Sequence, residues 1–204
     1  IMAEVGIIGA GSWGTALSLL LYKNGNQVTV WSALENEIQM LKEEREQKDK
    51  LPGVKLPEDM IFTTNLEEAI KGKDVLVLAV PSPFTRSTSA KMKPYVKDGQ
   101  IIVNVAKGIE ETTLMTLSEI IEEEIPQANV AVLSGPSHAE EVGRGLPTTI
   151  VAGSKDKATA EYLQNLFMSE VFRVYTSSDV LVIELGSPLK NDVAQAAGIA
   201  DGLG

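Results

Sequence analysis

Gly9, Gly11 and Gly14 stand in the pattern G-x-G-x-x-G, with Ala10, Ser12 and Trp13 between them. Where such a pattern joins a strand to a helix, each glycine has a mechanical task. The first makes the tight turn, the second lets the backbone approach a pyrophosphate, and the third lets the helix lie close to the strand. The helix N-terminus then presents N–H groups that no residue of the helix accepts, and these suit an anion. An isolated motif of this kind is weak. Here an apolar run, Val5-Gly6-Ile7-Ile8, precedes it and a helical run from Thr15 to Leu21 follows it, with a second strand expected at Gln27–Trp31. That context points to dinucleotide binding rather than to a glycine turn that binds nothing.

Three further segments follow expected strands and carry polar or ionisable groups. They are Ala79-Val80-Pro81-Ser82, Lys107-Gly108-Ile109-Glu110, and Ser134-Gly135-Pro136-Ser137-His138-Ala139-Glu140-Glu141. Ligands of open α/β sheets bind beyond the carboxyl ends of the strands. Taken singly, each segment is an ordinary turn. Together, on a sheet that opens with a dinucleotide loop, they outline a site. His138 is the only histidine of the chain, so acid–base chemistry falls to Lys, Asp or Glu, and His138 is read as a hydrogen-bonded structural residue.

The elements that must position these loops alternate strand and helix. A polar amphipathic stretch covers Leu34–Lys50, and Leu51–Pro57 reads as a rigid loop. A short strand at Ile61–Thr63 leads to a helix over Asn65–Lys71 with Asn65 as N-cap. Asp74–Val80 is a continuous apolar run, as in a central parallel strand covered on both faces, and it stops at Pro81-Ser82-Pro83. Helices are expected over Thr85–Val96 and Thr113–Glu124, with strands at Ile101–Val105 and Asn129–Leu133. Two more strands, Thr148–Ala152 and Phe172–Tyr175, bracket a helix over Lys157–Phe167. This alternation predicts an α/β, doubly wound, mostly parallel sheet with helices on both faces.

Composition narrows the function. With 44% hydrophobic and 23% charged residues among 204, the chain can bury a sizeable core. A net charge of −10 with no local basic patch argues against nucleic acid as a partner. No apolar run approaches membrane-spanning length and no basic segment precedes an apolar one at the N-terminus, so no membrane insertion and no leader are expected. The absence of cysteine excludes disulfides and thiolate chemistry and fits a cytoplasmic location. No metal site is expected.

The combination of Gly11-Ser12-Trp13-Gly14-Thr15-Ala16, Leu51-Pro52-Gly53-Val54, Ala79-Val80-Pro81-Ser82, Lys107-Gly108-Ile109-Glu110, Ser134 to Val142 and Glu184-Leu185-Gly186 with Leu189-Lys190-Asn191 resembles bacterial NAD(P)-dependent glycerol-3-phosphate dehydrogenase. The resemblance covers the whole chain, in order and at family spacing. It implies a Rossmann-like cofactor domain over 1–176 and the start of a helical substrate domain over 177–204. It also implies hydride transfer between NAD or NADP and glycerol 3-phosphate or dihydroxyacetone phosphate, in the service of phospholipid synthesis, and it leaves a homodimer of the full-length enzyme open. Carried over by position, Gly9, Gly11, Gly14, Ser12, Trp13 and Ala139 bind the cofactor. Lys107 touches cofactor and substrate, Gly135 and Ser137 touch substrate, and Lys190 accepts the substrate proton. A lysine near other cations, or partly desolvated, has a lowered pKa and can take that proton. Other expectations compatible with the residues are a different hydroxy-acid or hydroxyacyl dehydrogenase, or a nucleotide-binding module without catalysis.

The chain also departs from the family. The end of the second strand, Trp31-Ser32-Ala33, offers neither the acid that binds a ribose 2′-hydroxyl nor the base that binds a 2′-phosphate, and Glu35 is a distant candidate. Around Lys190, Pro188, Asp192 and Gln195 fall at i, i+4 and i+7, on one helical face, where the family is apolar or small. A helix is expected to end before Ser187 and another to begin near Pro188. The sequence stops at Gly204, ahead of the family's Arg-Asn pair that grips the substrate phosphate. The expectation is a shortened, surface-adjusted cofactor domain or a divergent copy, with little dehydrogenase activity by itself.

Overall fold

A computed structural model describes residues 2–186. In chain order the elements are β1 (Glu4–Ile8), α1 (Ser12–Lys23), β2 (Gln27–Trp31), α2 (Glu35–Glu44), β3 (Ile61–Thr63), α3 (Leu66–Ile70) and β4 (Val75–Leu78). Then come α4 (Thr85–Met92), β5 (Ile101–Asn104), α5 (Leu117–Glu124), β6 (Asn129–Ser134), α6 (Ala139–Gly143), β7 (Thr148–Gly153), α7 (Lys157–Phe167) and β8 (Phe172–Ser177). The eight strands form one sheet in the order β3-β2-β1-β4-β5-β6-β7-β8. The chain winds outward from β1 to β3 and then returns to lay β4 on the other side of β1. That reversal is the topological switch point where a ligand of such a sheet belongs.

The central strands separate two apolar layers by simple alternation. Val75 and Val77 of β4 join the layer that holds Leu17 and Leu21 of α1 and Phe167 of α7. Leu76 and Leu78 join the layer formed with Ile70 of α3, Met92 of α4 and Ile121 of α5. All four β4 side chains are fully buried. Burial of each such side chain contributes about 1.5–3 kcal/mol relative to exposure, so this strand holds both layers together. Gly6 of β1 lets α3 approach, because a Cβ there would lie 2.0 Å from the Ala69 carbonyl oxygen.

Several boundaries differ from the sequence reading, each for a local reason. All neighbouring strands are parallel except β6 and β7, which are antiparallel with Leu133 opposite Ala152. The short helix α6, which the sequence reading placed in a loop, returns the chain without a crossover. Helix α2 stops at Arg45 in a left-handed conformation (φ 51°), so it covers only part of the expected 34–50 stretch. Helix α4 ends at Met92 and passes into a 3-10 turn over Lys93–Tyr95 at Pro94. The expected helix from Thr113 starts instead at Leu117, because Thr116 and Glu119 form a capping box. Asn65 does cap α3, its side chain accepting from the Glu68 N–H.

Candidate cofactor and substrate site

The three glycines of the first loop meet three different surroundings. Gly9 has φ +123°, and a Cβ there would lie 2.8 Å from the Ala79 carbonyl carbon and oxygen. Gly14 sits against the loop itself, its Cβ position 2.1 Å from the Gly9 carbonyl oxygen. Gly11 faces open space, with nothing within 4 Å of a Cβ, and its own backbone is extended with φ −69°. Gly11 is also the N-cap of α1 and supplies no side-chain cap, and the first turn of α1 carries no acidic residue. No acceptor among the described residues takes the N–H groups of Ser12, Trp13 or Gly14. An uncapped, uncrowded helix start with no carboxylate of its own fits a pyrophosphate. Trp13 is half-buried and packs against the main core layer.

From this loop the site runs along the carboxyl edge of the sheet. The Cβ position of Gly14 lies 3.2 Å from the Ala79 Cβ, at the end of β4. Three residues on, Ser82 meets Gly108 of the loop after β5, where a Cβ would stand 3.3 Å from the serine Cβ and Oγ, and Gly108 has φ +128°. The adjacent Lys107 Nζ donates to the Gly135 carbonyl after β6 at 3.3 Å, and the Ser137 hydroxyl donates to the same oxygen at 3.4 Å. Lys107, Ser134, Gly135, Ser137 and His138 line a cavity of about 310 Å³, closed on its other side by Val182, Ile183 and Gly186. The structure therefore brings Lys107, Gly135 and Ser137 together at one cavity. Ala139 opens α6, is buried, and lies on the helix that packs against α1. His138 corrects the sequence reading: it is exposed at the cavity and its side chain makes no hydrogen bond among the described residues. Lys190, Pro188, Asp192 and Gln195, and the expected helix break at Ser187, lie outside the described residues.

The end of β2 holds a carboxylate that the sequence reading missed. Glu35 is exposed, whereas Glu37, one helical half-turn on, is buried. Its oxygens accept from the Ser32 hydroxyl at 2.5 Å, from Gln47 Nε2 at 2.8 Å and from Lys50 Nζ at 2.5 Å. Gln47 Nε2 also donates to the Ala10 carbonyl of the glycine loop at 2.7 Å. The carboxylate is thus largely occupied by the protein itself, and the half-exposed Lys50 beside it balances its charge. A signal existed in the amphipathic pattern of α2, which turns Glu37 inward with Ile38 and Leu41. The Leu51-Pro52-Gly53-Val54 motif is packing: Leu51 and Val54 are buried and stand against Gly143 of α6.

Two polar clamps frame the Lys107 loop. Arg86 of α4 grips Glu110 as a fork, Nε to Oε1 and Nη2 to Oε2, both at 2.8 Å, and its Nη1 reaches Glu124 of α5 at 2.8 Å. The Arg86 guanidinium, and then the Thr113 hydroxyl, hold the Glu110 carboxyl down to about 2 from 4.5. The same carboxylates push the Arg86 pKa up. Farther along, buried Glu184 accepts from the N–H and the hydroxyl of Ser118 at the start of α5. That contact fixes the helical segment 180–186 over the cavity.

Residues 4–160 match the family model described as NAD-dependent glycerol-3-phosphate dehydrogenase N-terminus. A protein of Agathobacter rectalis named glycerol-3-phosphate dehydrogenase (NAD(P)+) is 68% identical over 203 residues, spanning 100% of this chain and 60% of the relative. One of the same name from Fusobacterium nucleatum is 56% identical over 204 residues, with 99% and 61% covered. The crystal structure of glycerol-3-phosphate dehydrogenase from Coxiella burnetii superposes with a TM-score of 0.90 at 33% identity, covering 99% of this chain and 62% of that one. The chain thus spans about three-fifths of the length of these relatives. By the match over residues 4–160, it belongs to the NAD-dependent glycerol-3-phosphate dehydrogenase family.

Proposed function

We propose that this chain binds NAD or NADP at the glycine loop and, within a full-length enzyme, serves reversible reduction of dihydroxyacetone phosphate to sn-glycerol 3-phosphate, with little activity by itself. The observation that carries the reading is the start of α1: an uncapped helix N-terminus behind Gly11, with open space where a side chain would stand. A dinucleotide held there by its pyrophosphate would supply the hydride, and take it back in the reverse direction. The protein's part is to hold and polarise. The Ser12, Trp13 and Gly14 N–H groups take the pyrophosphate, with Gly9 shaping the turn. Ala139 completes the cofactor contacts by position. Lys107 contributes positive charge at the cavity, where Gly135 and Ser137 offer backbone and hydroxyl groups to a phosphorylated triose. Lys190 is assigned by its motif as the group that hands a proton to the ketone oxygen and removes it from the alcohol.

The same reading takes residues 1–176 as the dinucleotide-binding domain and 177–204 as the start of a substrate domain. It places the protein in the cytoplasm, feeding glycerophospholipid synthesis, with a homodimer open to the full-length enzyme and with neither nucleic acid nor membrane as partner. No helix among the described residues is long and apolar enough to cross a membrane.

The test is oxidation of NADH and NADPH by the full-length enzyme with dihydroxyacetone phosphate, set against a hydroxy acid in the reverse direction; the 204-residue chain by itself is expected to turn over little. Turnover that requires dihydroxyacetone phosphate and disappears in Lys190→Met supports the reading. Turnover with the hydroxy acid instead would replace it.

A further inference from the structure

Lys107 is exposed at the end of a loop, yet the chain on either side of it is fastened. Upstream, Asn104 closes a turn: its Nδ2 donates to the Ala106 carbonyl at 3.1 Å and its Oδ1 accepts from the Ala106 N–H at 3.2 Å. Downstream, Glu110 is the fixed point. Its N–H donates to the Met115 carbonyl at 2.9 Å and its carbonyl accepts from the Leu114 N–H at 2.8 Å. This folds 110–115 into a tight turn that needs Leu114 at φ 61° with its side chain exposed. Such a turn is not held by apolar burial of its own. The Glu110 carboxylate ties it to α4 through the Arg86 fork, and the remaining arm of Arg86 ties α4 to Glu124 of α5.

Only Lys107, Gly108 and Ile109 lie between the Asn104 turn and Glu110. Ile109 is exposed, and Gly108 has room for a close approach to Ser82 but no side chain to anchor it. A fork of two parallel N–H···O bonds fixes orientation as well as distance, which a single ammonium contact does not. We propose that Arg86 is a positioning residue that, through Glu110, holds Lys107 over the cavity in the geometry its cofactor and substrate contacts require. The inference rests on the reading of Lys107 as a cofactor contact.

The test combines hydrogen exchange with NADH titration on the 204-residue chain and on Arg86→Met, Arg86→Lys, Glu110→Gln, Lys107→Ala and Arg86→Met/Lys107→Ala. The Glu110 and Leu114 amides report on the turn, and amides of β4 and β5 report on global stability. In Arg86→Met and Glu110→Gln the turn amides exchange about tenfold faster or more while the strand amides are unchanged, as expected of local opening. NADH binding weakens in the same two variants, and Arg86→Lys recovers part of the loss. Because Arg86 acts through Lys107, the double variant binds no more weakly than Lys107→Ala alone. Turn amides that exchange as in the parent, or losses that add in the double variant, overturn the proposal. So does an Arg86→Met chain that binds NADH like the parent while Lys107→Ala binds weakly, and that result leaves the cofactor reading standing. If Lys107→Ala itself binds NADH like the parent, the assignment of Lys107 fails and the proposal with it.

Discussion

Gly11 and Gly14 carry the same absent side chain for opposite reasons. At Gly14 a methyl group would press on the Gly9 carbonyl at 2.1 Å, so Gly14→Ala should destabilise the fold by about 1–3 kcal/mol, read as a lower urea midpoint at unchanged slope. The spacing of these glycines made the turn at Gly9 and the close contact at Gly14 legible without coordinates. The inward turn of Glu37 could be read from the pattern of α2, but its role could not, because that needs Gln47 and Lys50, which reach it from a loop ten and more residues away. Since that carboxylate is already engaged and faces a lysine, neither a 2′-hydroxyl nor a 2′-phosphate gains a dedicated partner. Dissociation constants for NADH and NADPH should then differ by less than about tenfold, or roughly 1.4 kcal/mol. A hundredfold preference would show that Ser32, Glu37 or Lys50 reads the ribose. Glu110 offers a pH test. Its folded pKa of about 2 lies below the ordinary 4.5, so its stabilising contribution is present above about 4.5 and is lost as pH falls from there through 2. A carboxyl-carbon NMR titration should find the depressed value in the parent and a return towards 4.5 in Arg86→Met.

At the scale of elements, the helices and strands that carry strong periodicity were readable and the connections were not. Val75–Leu78 could be placed because a strand buried on both faces is apolar throughout. The antiparallel turn into β7 escaped, since alternation of strand and helix does not reveal that a helix of five residues is too short to carry the chain across the sheet. The late start of α5 had a readable signal in Thr116 and Glu119, three apart, whose mutual bonds stop the helix from extending back to Thr113. Thr116→Ala should cost about 0.5–2 kcal/mol. Because α5 also receives Glu184 at Ser118 and Arg86 at Glu124, the loss should appear as faster exchange across α5 and the turn before it. Unchanged thermal unfolding of Thr116→Ala would contradict the cap.

For the whole molecule, the proposed site lies along one edge. The loops after β1, β4, β5 and β6 touch in sequence, Gly14 to Ala79, Ser82 to Gly108, and Lys107 to Gly135. The sheet order makes this contact possible, because β1, β4, β5 and β6 are consecutive neighbours with their carboxyl ends aligned. Sequence reading could name these loops but not their adjacency, which depends on strand order. Nor could it show that residues 180–186 fold over the cavity, where Ile183 stands 2.5 Å from the Cβ position of Gly153. The measurement that bears most directly on the central claim is calorimetric titration of NADH into the parent chain and into Gly11→Val. The valine has space in the protein and an extended backbone to occupy, so thermal unfolding should be unchanged while cofactor binding is lost. Equal binding by the two chains, or no binding by the parent at millimolar NADH, would contradict a dinucleotide site at the start of α1.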